Sequence, residues 1–236
     1  MYLFLDTPAA DAATSWAYWA DVTSSTLSPV RGEDGQFATL VPAAGDPWIK
    51  VQAVAEGPGG VHLDIDTDDR AALVARAVEL GATVRATYHE VVVLESPAGI
   101  VFCATTGETG SVDRHVDAIA DQACLDIPPA RFAAEVAFWS DLTGWAASEI
   151  RDDDEFVSLR RPADMPVRIL LQRRDDETPA SAHVDFATRD RAAETERHLR
   201  AGAEVASVHA QWTVLRDPVG RIYCLTDRDP ATGTPR

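Results

Sequence analysis

Two short tracts carry residues that can do chemistry together: His62 with Asp64 in VHLDIDT (61–67), and His183 with Asp185 in AHVDFAT (182–188). Residues two apart on a strand share a face, so each imidazole has a carboxylate beside it. Such a pair can move a proton, hold a metal or bind a polar ligand. It can equally be a packed histidine bonded to its neighbours, and one duplication would explain both pairs. Asp6 and Asp126 recur at related positions, so a structural role for all four carboxylates, as partners of backbone N–H or Arg, is the favoured reading over an acid–base pair. Cys124 could form a thiol–imidazole pair if it meets His183 and Gln172, although a small buried hydrophobe is the simpler reading. Cys103 and Cys224 read as core or pocket wall. Trp48 and Trp212 fall in strand or turn regions and are candidates to line a pocket for a flat organic ligand. Trp16, Trp19 and Trp139 sit in helix-like stretches and read as core. The run Asp152-Asp153-Asp154-Glu155 reads as a solvated loop.

The elements that must position these residues are repeated. LDTPAADAATSWAYWADVT (5–23) reappears as LDIPPARFAAEVAFWSDLT (125–143), VHLDIDTDDRAA (61–72) as AHVDFATRDRAA (182–193), and LESPAGIVFCAT (94–105) as LRDPVGRIYCLT (215–226). Self-similarity at long period means a duplicated structural unit. A weaker echo within each half (FLDT 4–7, HLDI 62–65, CLDI 124–127, HVDF 183–186) divides the chain into four modules, here A, B, A′ and B′. Each reads as strand, helix and further strands. Thr67 and Asp68 are expected to cap the helix over 69–80, which Gly81 ends. Ser96-Pro97-Ala98-Gly99 and Asp217-Pro218-Val219-Gly220 are turns.

Bulk composition removes several classes. The net charge of −17 repels phosphate backbones and anionic lipid, and no basic stripe offsets it. No apolar run is long enough to span a bilayer, and the N-terminus has no secretory pattern. Three Cys argue against a disulfide framework and suit a reducing cytoplasm. The expectation is a cytoplasmic protein, monomer or homodimer, whose partner is a small molecule and neither nucleic acid nor membrane.

The runs HLDI…DD…A…L…GA (62–82) and HVDF…RDRAA…L…GA (183–203), with the DPVGRIYCL ending (217–225), resemble the vicinal oxygen chelate superfamily, in its glyoxalase-like and bleomycin-resistance branch. The resemblance covers nearly the whole chain as two tandem copies. It implies an α+β fold of four βαβββ modules in two tandem domains, each a curled eight-stranded cup with helices outside. The expected layout is domain 1 over 1–105, a linker over 106–120, domain 2 over 121–227 and a flexible tail over 228–236.

The resemblance also implies where metal ligands would stand: on the first and last strands of each module, as His, Gln or Glu. In the first half those positions are Phe4, Gln52, His62 and Val101. In the second they are Cys124, Gln172, His183 and Ile222. Phe, Val and Ile donate nothing to a metal, which needs three or four donors. The expectation is therefore a small-molecule-binding protein without metal or other cofactor, sequestering an organic ligand through Gln52, His62, Asp64, Cys124, Gln172, His183, Asp185, Trp48 and Trp212. The alternative is a glyoxalase-like lyase, isomerase or dioxygenase that holds Ni, Zn, Fe or Mn on His62, His183, Gln52 and Gln172 as a nonstandard set. A scaffold with no pocket function is a third class. Whether A pairs with B or with B′ is left open by the residues.

Overall fold

A computed structural model describes residues 1–107, 116–148, 155–163 and 165–236. Module A supplies β1 (Tyr2–Pro8), α1 (Ala12–Val22), β2 (Ser25–Leu27), β3 (Phe37–Pro42) and β4 (Ile49–Val54). Module B supplies β5 (Gly60–Asp66), α2 (Arg70–Glu79), β6 (Thr83–Thr87), β7 (Val91–Glu95) and β8 (Val101–Thr105). Module A′ gives β9 (Ala118–Ile127), α3 (Phe132–Thr143), β10 (Phe156–Ser158) and β11 (Arg168–Arg173). Module B′ gives β12 (Ser181–Thr188), α4 (Arg191–Arg200), β13 (Glu204–Val208), β14 (Trp212–Arg216) and β15 (Ile222–Thr226). The strands form one eight-stranded sheet, β2-β3-β4-β1-β5-β8-β7-β6, and one seven-stranded sheet, β10-β11-β9-β12-β15-β14-β13. The βαβββ repeat and the α+β class are thus present. In A′ the counterpart of β2 is reduced to a single bridge, Ala147 with Leu159, which is why the second sheet counts seven strands among the described residues.

Local chemistry explains the helix boundaries. The cap of α2 is Asp69, one residue later than expected, because its carboxylate accepts the Ala72 N–H at 2.9 Å, while Thr67 accepts the Asp69 N–H and turns the chain into the helix. Asp190 repeats the cap on α4 through the Ala193 N–H. Gly144, at φ 70°, closes α3 in the left-handed conformation that a Cβ would oppose. β9 starts at Ala118, inside the stretch expected to be linker. The terminal stretch expected to be flexible folds back: Arg228 bridges to Pro235 and Arg236 N–H donates to Asp227 O.

By contacts the chain falls into two compact units. The first holds 61–109 and 123–182, that is B with A′; the second holds 4–60 and 183–236, that is A with B′. Strand order therefore joins A to B within one sheet, while compact packing joins A to B′.

Two sets of buried residues match this pairing. In the second unit, Trp19 on α1 is fully buried and its indole N–H donates to Asp217 in the B′ turn at 3.0 Å. In the first unit, Trp139 on α3 donates to Glu135 one helical turn back at 2.8 Å, and Glu135 also accepts the Ala98 N–H from the B turn at 2.9 Å. Each unit has one acid at this junction, but on opposite modules: the repeat counterpart of Glu135 is Ser15, and that of Asp217 is Ser96. Pairing A with B would set two serines together, and pairing A′ with B′ would bury two carboxylates together, which is costly.

The second set is Tyr18, Tyr223 and His198 in the second unit, where Tyr223 Oη bonds Tyr18 Oη and lies 2.8 Å from His198 Nδ1. Their repeat counterparts in the first unit are Phe138, Phe102 and Ala77, all apolar, with Phe102 and Phe138 in edge contact. Polar groups meet polar groups and apolar groups meet apolar ones only in the observed pairing.

Two predictions follow from this packing. Replacing Glu135 by Ser leaves a buried indole N–H and a backbone N–H without an acceptor, at about 1–3 kcal/mol per group; adding Ser96→Asp rebuilds the Trp19–Asp217 arrangement and recovers part of that loss in chemical denaturation. An unchanged midpoint for Glu135→Ser would remove the argument. Second, burial and then the charge of Arg197 push His198 down to about 3. The unfolded imidazole takes a proton near its ordinary value of ~6.5 while the folded one stays neutral, so the stability it lends is present above that value and is lost as pH falls toward the folded one. Wild type should therefore lose stability between about pH 7 and 5 more steeply than His198→Gln, by up to about 1.4 kcal/mol per pH unit; parallel pH profiles would contradict this.

Candidate functional site

The site grows from one pair of parallel strands in each unit. In the first, β5 lies beside β8 with Asp64 opposite Cys103 and Leu63 opposite Phe102. In the second, β12 lies beside β15 with Asp185 opposite Cys224 and Phe186 opposite Leu225. Side chains alternate across a sheet, and register partners share a side. Leu63, Ile65, Phe102 and Ala104 therefore form the buried face of the first pair, next to α2. His62, Asp64, Val101 and Cys103 point to the other face. Val101 there is 42% exposed, while His62, Asp64 and Cys103 are buried.

On this face three donor types converge. His62 Nε2 stands 3.4 Å from Asp64 Oδ1, and the donor atoms of His62, Asp64 and Cys103 all lie within 4.8 Å of one another. In the second unit His183 Nε2 stands 3.2 Å from Asp185 Oδ1 and 3.6 Å from Cys224 Sγ. Gln122 Nε2 donates to the other oxygen, Asp185 Oδ2, at 2.6 Å. Nearby, buried Arg228 pairs with buried Asp121 at 3.0 Å. Burial opposes ionisation of Asp185, but the charge of His183, with that of Arg228 and the Gln122 hydrogen bond, outweighs it and holds the carboxyl below its usual range. Burial pushes the Cys103 thiol up and the Cys224 thiol up to about 11.

The expected glutamines and tryptophans make contacts of their own. Gln52 on β4 lies opposite Phe37. Gln172 is engaged at both ends, accepting from the Cys124 thiol at 3.8 Å and donating to Glu155 at 2.9 Å. Cys124 thus meets Gln172, as expected. Trp48 donates its indole N–H to Ala120 O at 2.9 Å and lines a cavity of about 480 Å³ with Leu40, Ile49, Phe186 and Arg197 in the second unit. Arg197 there is already held by Glu194 and by Val22 O at the end of α1. Trp212 stacks on His209. Asp152 to Asp154 lie outside the described residues. Sequence reasoning assigned Cys103 and Cys224 to the wall. Their matched repeat positions, two residues beyond Val101 and Ile222, were the signal that they share the histidine face.

Comparison with known proteins places this geometry. The family model described as "Glyoxalase-like domain" matches residues 2–105 and again 122–226. The chain belongs to the glyoxalase-like domain family. No curated protein matches the sequence. Among solved structures, the Mn(II)-bound glyoxalase from Novosphingobium aromaticivorans superposes with a TM-score of 0.68 at 18% identity, over 95% of this chain and 80% of that one. The 2,2′,3-trihydroxybiphenyl 1,2-dioxygenase from Sphingomonas wittichii gives 0.62 at 14% identity, over 95% and 88%. A variant of homoprotocatechuate 2,3-dioxygenase from B. fuscum gives 0.64 at 15% identity, over 97% and 70%. The likenesses show a shared fold, and the doubled family match shows the tandem duplication. No helix among the described residues is long and apolar enough to cross a membrane.

Within this glyoxalase-like chain, the ligand positions implied by family resemblance offer only Gln52 and His62 in the first half, too few donors for a metal, and hold no carboxylate in the second. Phe4 packs under the Lys50 ammonium at 5.4 Å, and Phe4, Val101 and Ile222 have no donor atom. His62, Cys124 and His183 are shared between that pattern and the donor clusters found among the described residues.

Proposed function

We propose that this glyoxalase-like protein binds a small organic compound carrying neighbouring oxygen atoms, on the helix-free faces that display His62 with Asp64 and His183 with Asp185. The observation that carries the reading is that both halves keep the same imidazole–carboxylate–thiol group on the same register, next to the half-exposed Val101 in the first half. A buried carboxylate beside an imidazole is costly to retain unless it is partnered, and polar groups few in number within an apolar setting are what orient a small ligand. The structural neighbours, a glyoxalase and dioxygenases named for hydroxylated aromatics, favour vicinal oxygens as the recognised feature.

A second reading, metal-dependent lyase, isomerase or dioxygenase activity, draws on those same neighbours and on the convergence of N, O and S donors. A metal there would supply Lewis-acid polarisation of a bound oxygen. The chain's own His and Asp would orient the ligand and hold or accept a proton.

The test is titration calorimetry with catechol and homoprotocatechuate, followed by assay for ring cleavage. The expected result is saturable binding that weakens at least tenfold in the His62→Ala/His183→Ala double variant. Binding unaffected by that variant would move the ligand elsewhere, and no binding by either compound would remove the vicinal-oxygen class.

A further inference from the structure

We infer that each half of the chain holds one divalent metal ion of the zinc type on a His–Asp–Cys set: His62, Asp64 and Cys103 in the first half, and His183, Asp185 and Cys224 in the second. Only the histidines coincide with the positions that family resemblance implied. The carboxylate and the thiol come from positions to which that resemblance gave no metal role. The inference concerns the same faces as the proposed ligand site but does not require that any organic ligand bind there.

The spacing of the donors is the first argument. Tetrahedral zinc binds imidazole nitrogen at about 2.0–2.1 Å, carboxylate oxygen at about 2.0–2.2 Å and thiolate sulfur at about 2.3 Å, which sets N···O edges near 3.4 Å and N···S edges near 3.6 Å. The observed N···O separations are 3.4 Å and 3.2 Å, and the N···S separation is 3.6 Å.

The direction of approach is the second. In the second half, Asp185 Oδ1 and Cys224 Sγ both face the same ring nitrogen, Nε2 of His183. One nitrogen carries at most one proton. A nucleophile relay needs the carboxylate on one ring nitrogen and the thiol on the other, so this arrangement is not a Cys–His–Asp triad. Three atoms turned toward a common point is the arrangement of a chelate.

Unsatisfied carboxylate oxygens are the third, independent observation. Asp64 and Asp185 are 7% and 3% exposed, yet Oδ1 of each is buried with no hydrogen-bond donor; the histidine nitrogen is within ion-pair distance but out of hydrogen-bond alignment. Native proteins seldom leave such atoms unmet, and an unmet one calls for an ion or other partner. Gln122 meanwhile clamps Asp185 Oδ2 and so aims Oδ1 at the histidine, as outer partners of metal ligands do. Three protein ligands leave a fourth position open, as in zinc sites that also take a substrate or water.

The experiment uses the full chain, made without a histidine tag and stripped with chelator, then titrated with Co²⁺ and, by competition with a chromophoric chelator, with Zn²⁺. No organic ligand is present, so failure here and failure of the ligand-binding reading are separate results. The expected result is two equivalents of metal per chain, with visible d–d bands and an ultraviolet thiolate-to-cobalt band. Cys103→Ser and Cys224→Ser should each remove one equivalent and part of the thiolate band. Asp185→Asn should do the same for the second site, and Gln122→Leu should weaken that site about 10–100-fold. Circular dichroism verifies that each variant is folded, and the near-isosteric Asp185→Asn decides the matter if a Cys variant is not. Absence of the thiolate band, binding no tighter than to a protein lacking such sites, or metal retained by Cys224→Ser and lost in Cys124→Ser would overturn the assignment.

Discussion

A buried indole N–H needs an acceptor, and that need organises this chain. Trp19 and Trp139 are the largest fully buried side chains, and each lies at the junction of its module's helix with the partner module. The acceptor is a carboxylate in both units, yet it comes from the B′ turn in one and from the helix itself in the other. The second unit is the more polar: Arg221 donates to Thr7 and adds positive charge beside Asp217, whereas in the first unit burial raises the pKa of Glu135. After duplication, two copies of one sequence could have paired interchangeably. The exchange of acid and serine between Ser15 and Glu135, and between Ser96 and Asp217, makes the two junctions unlike, so that mispairing either leaves an indole unmet or crowds two carboxylates.

The functional faces depend on that packing at one remove. The helix-side residues of β5 and β8, and of β12 and β15, are locked by the aromatic clusters around Trp139 and Trp19. Strand alternation then leaves His, Asp and Cys no choice but the opposite face. Parallel register, with Asp64 against Cys103 and Asp185 against Cys224, brings the thiol to the pair although the sequence separates them by about 40 residues. Binding groups are thereby carried on strands, which hold geometry more tightly than loops do.

Much of the fold was legible because its signals are local or periodic. The repeats at 5–23 and 125–143, and at 61–72 and 182–193, announced the duplication. Alternation placed His62 with Asp64, and glycines marked helix ends. The cap at Asp69 was misplaced by one residue because three consecutive candidates, Thr67, Asp68 and Asp69, have the same chemistry, and only the geometry of the Ala72 N–H separates them. Gln52 and Gln172 were grouped with the histidines by family pattern alone; Gln172 spends its amide on Cys124 and Glu155.

The sequence by itself determined the four βαβββ modules, the tandem copies and the two His–Asp pairs, since each rests on spacing within a strand or on self-similarity along the chain. Tertiary structure alone decided that A packs with B′ while sharing a sheet with B, that Cys103 and Cys224 complete the donor groups, and that Trp48 belongs to a separate cavity. Those outcomes depend on which distant strands lie side by side and on which buried donor meets which acceptor. Such long-range pairings have no period in the sequence, and it is the partnering of buried polar groups, Trp19 with Asp217 and Trp139 with Glu135, that fixes them.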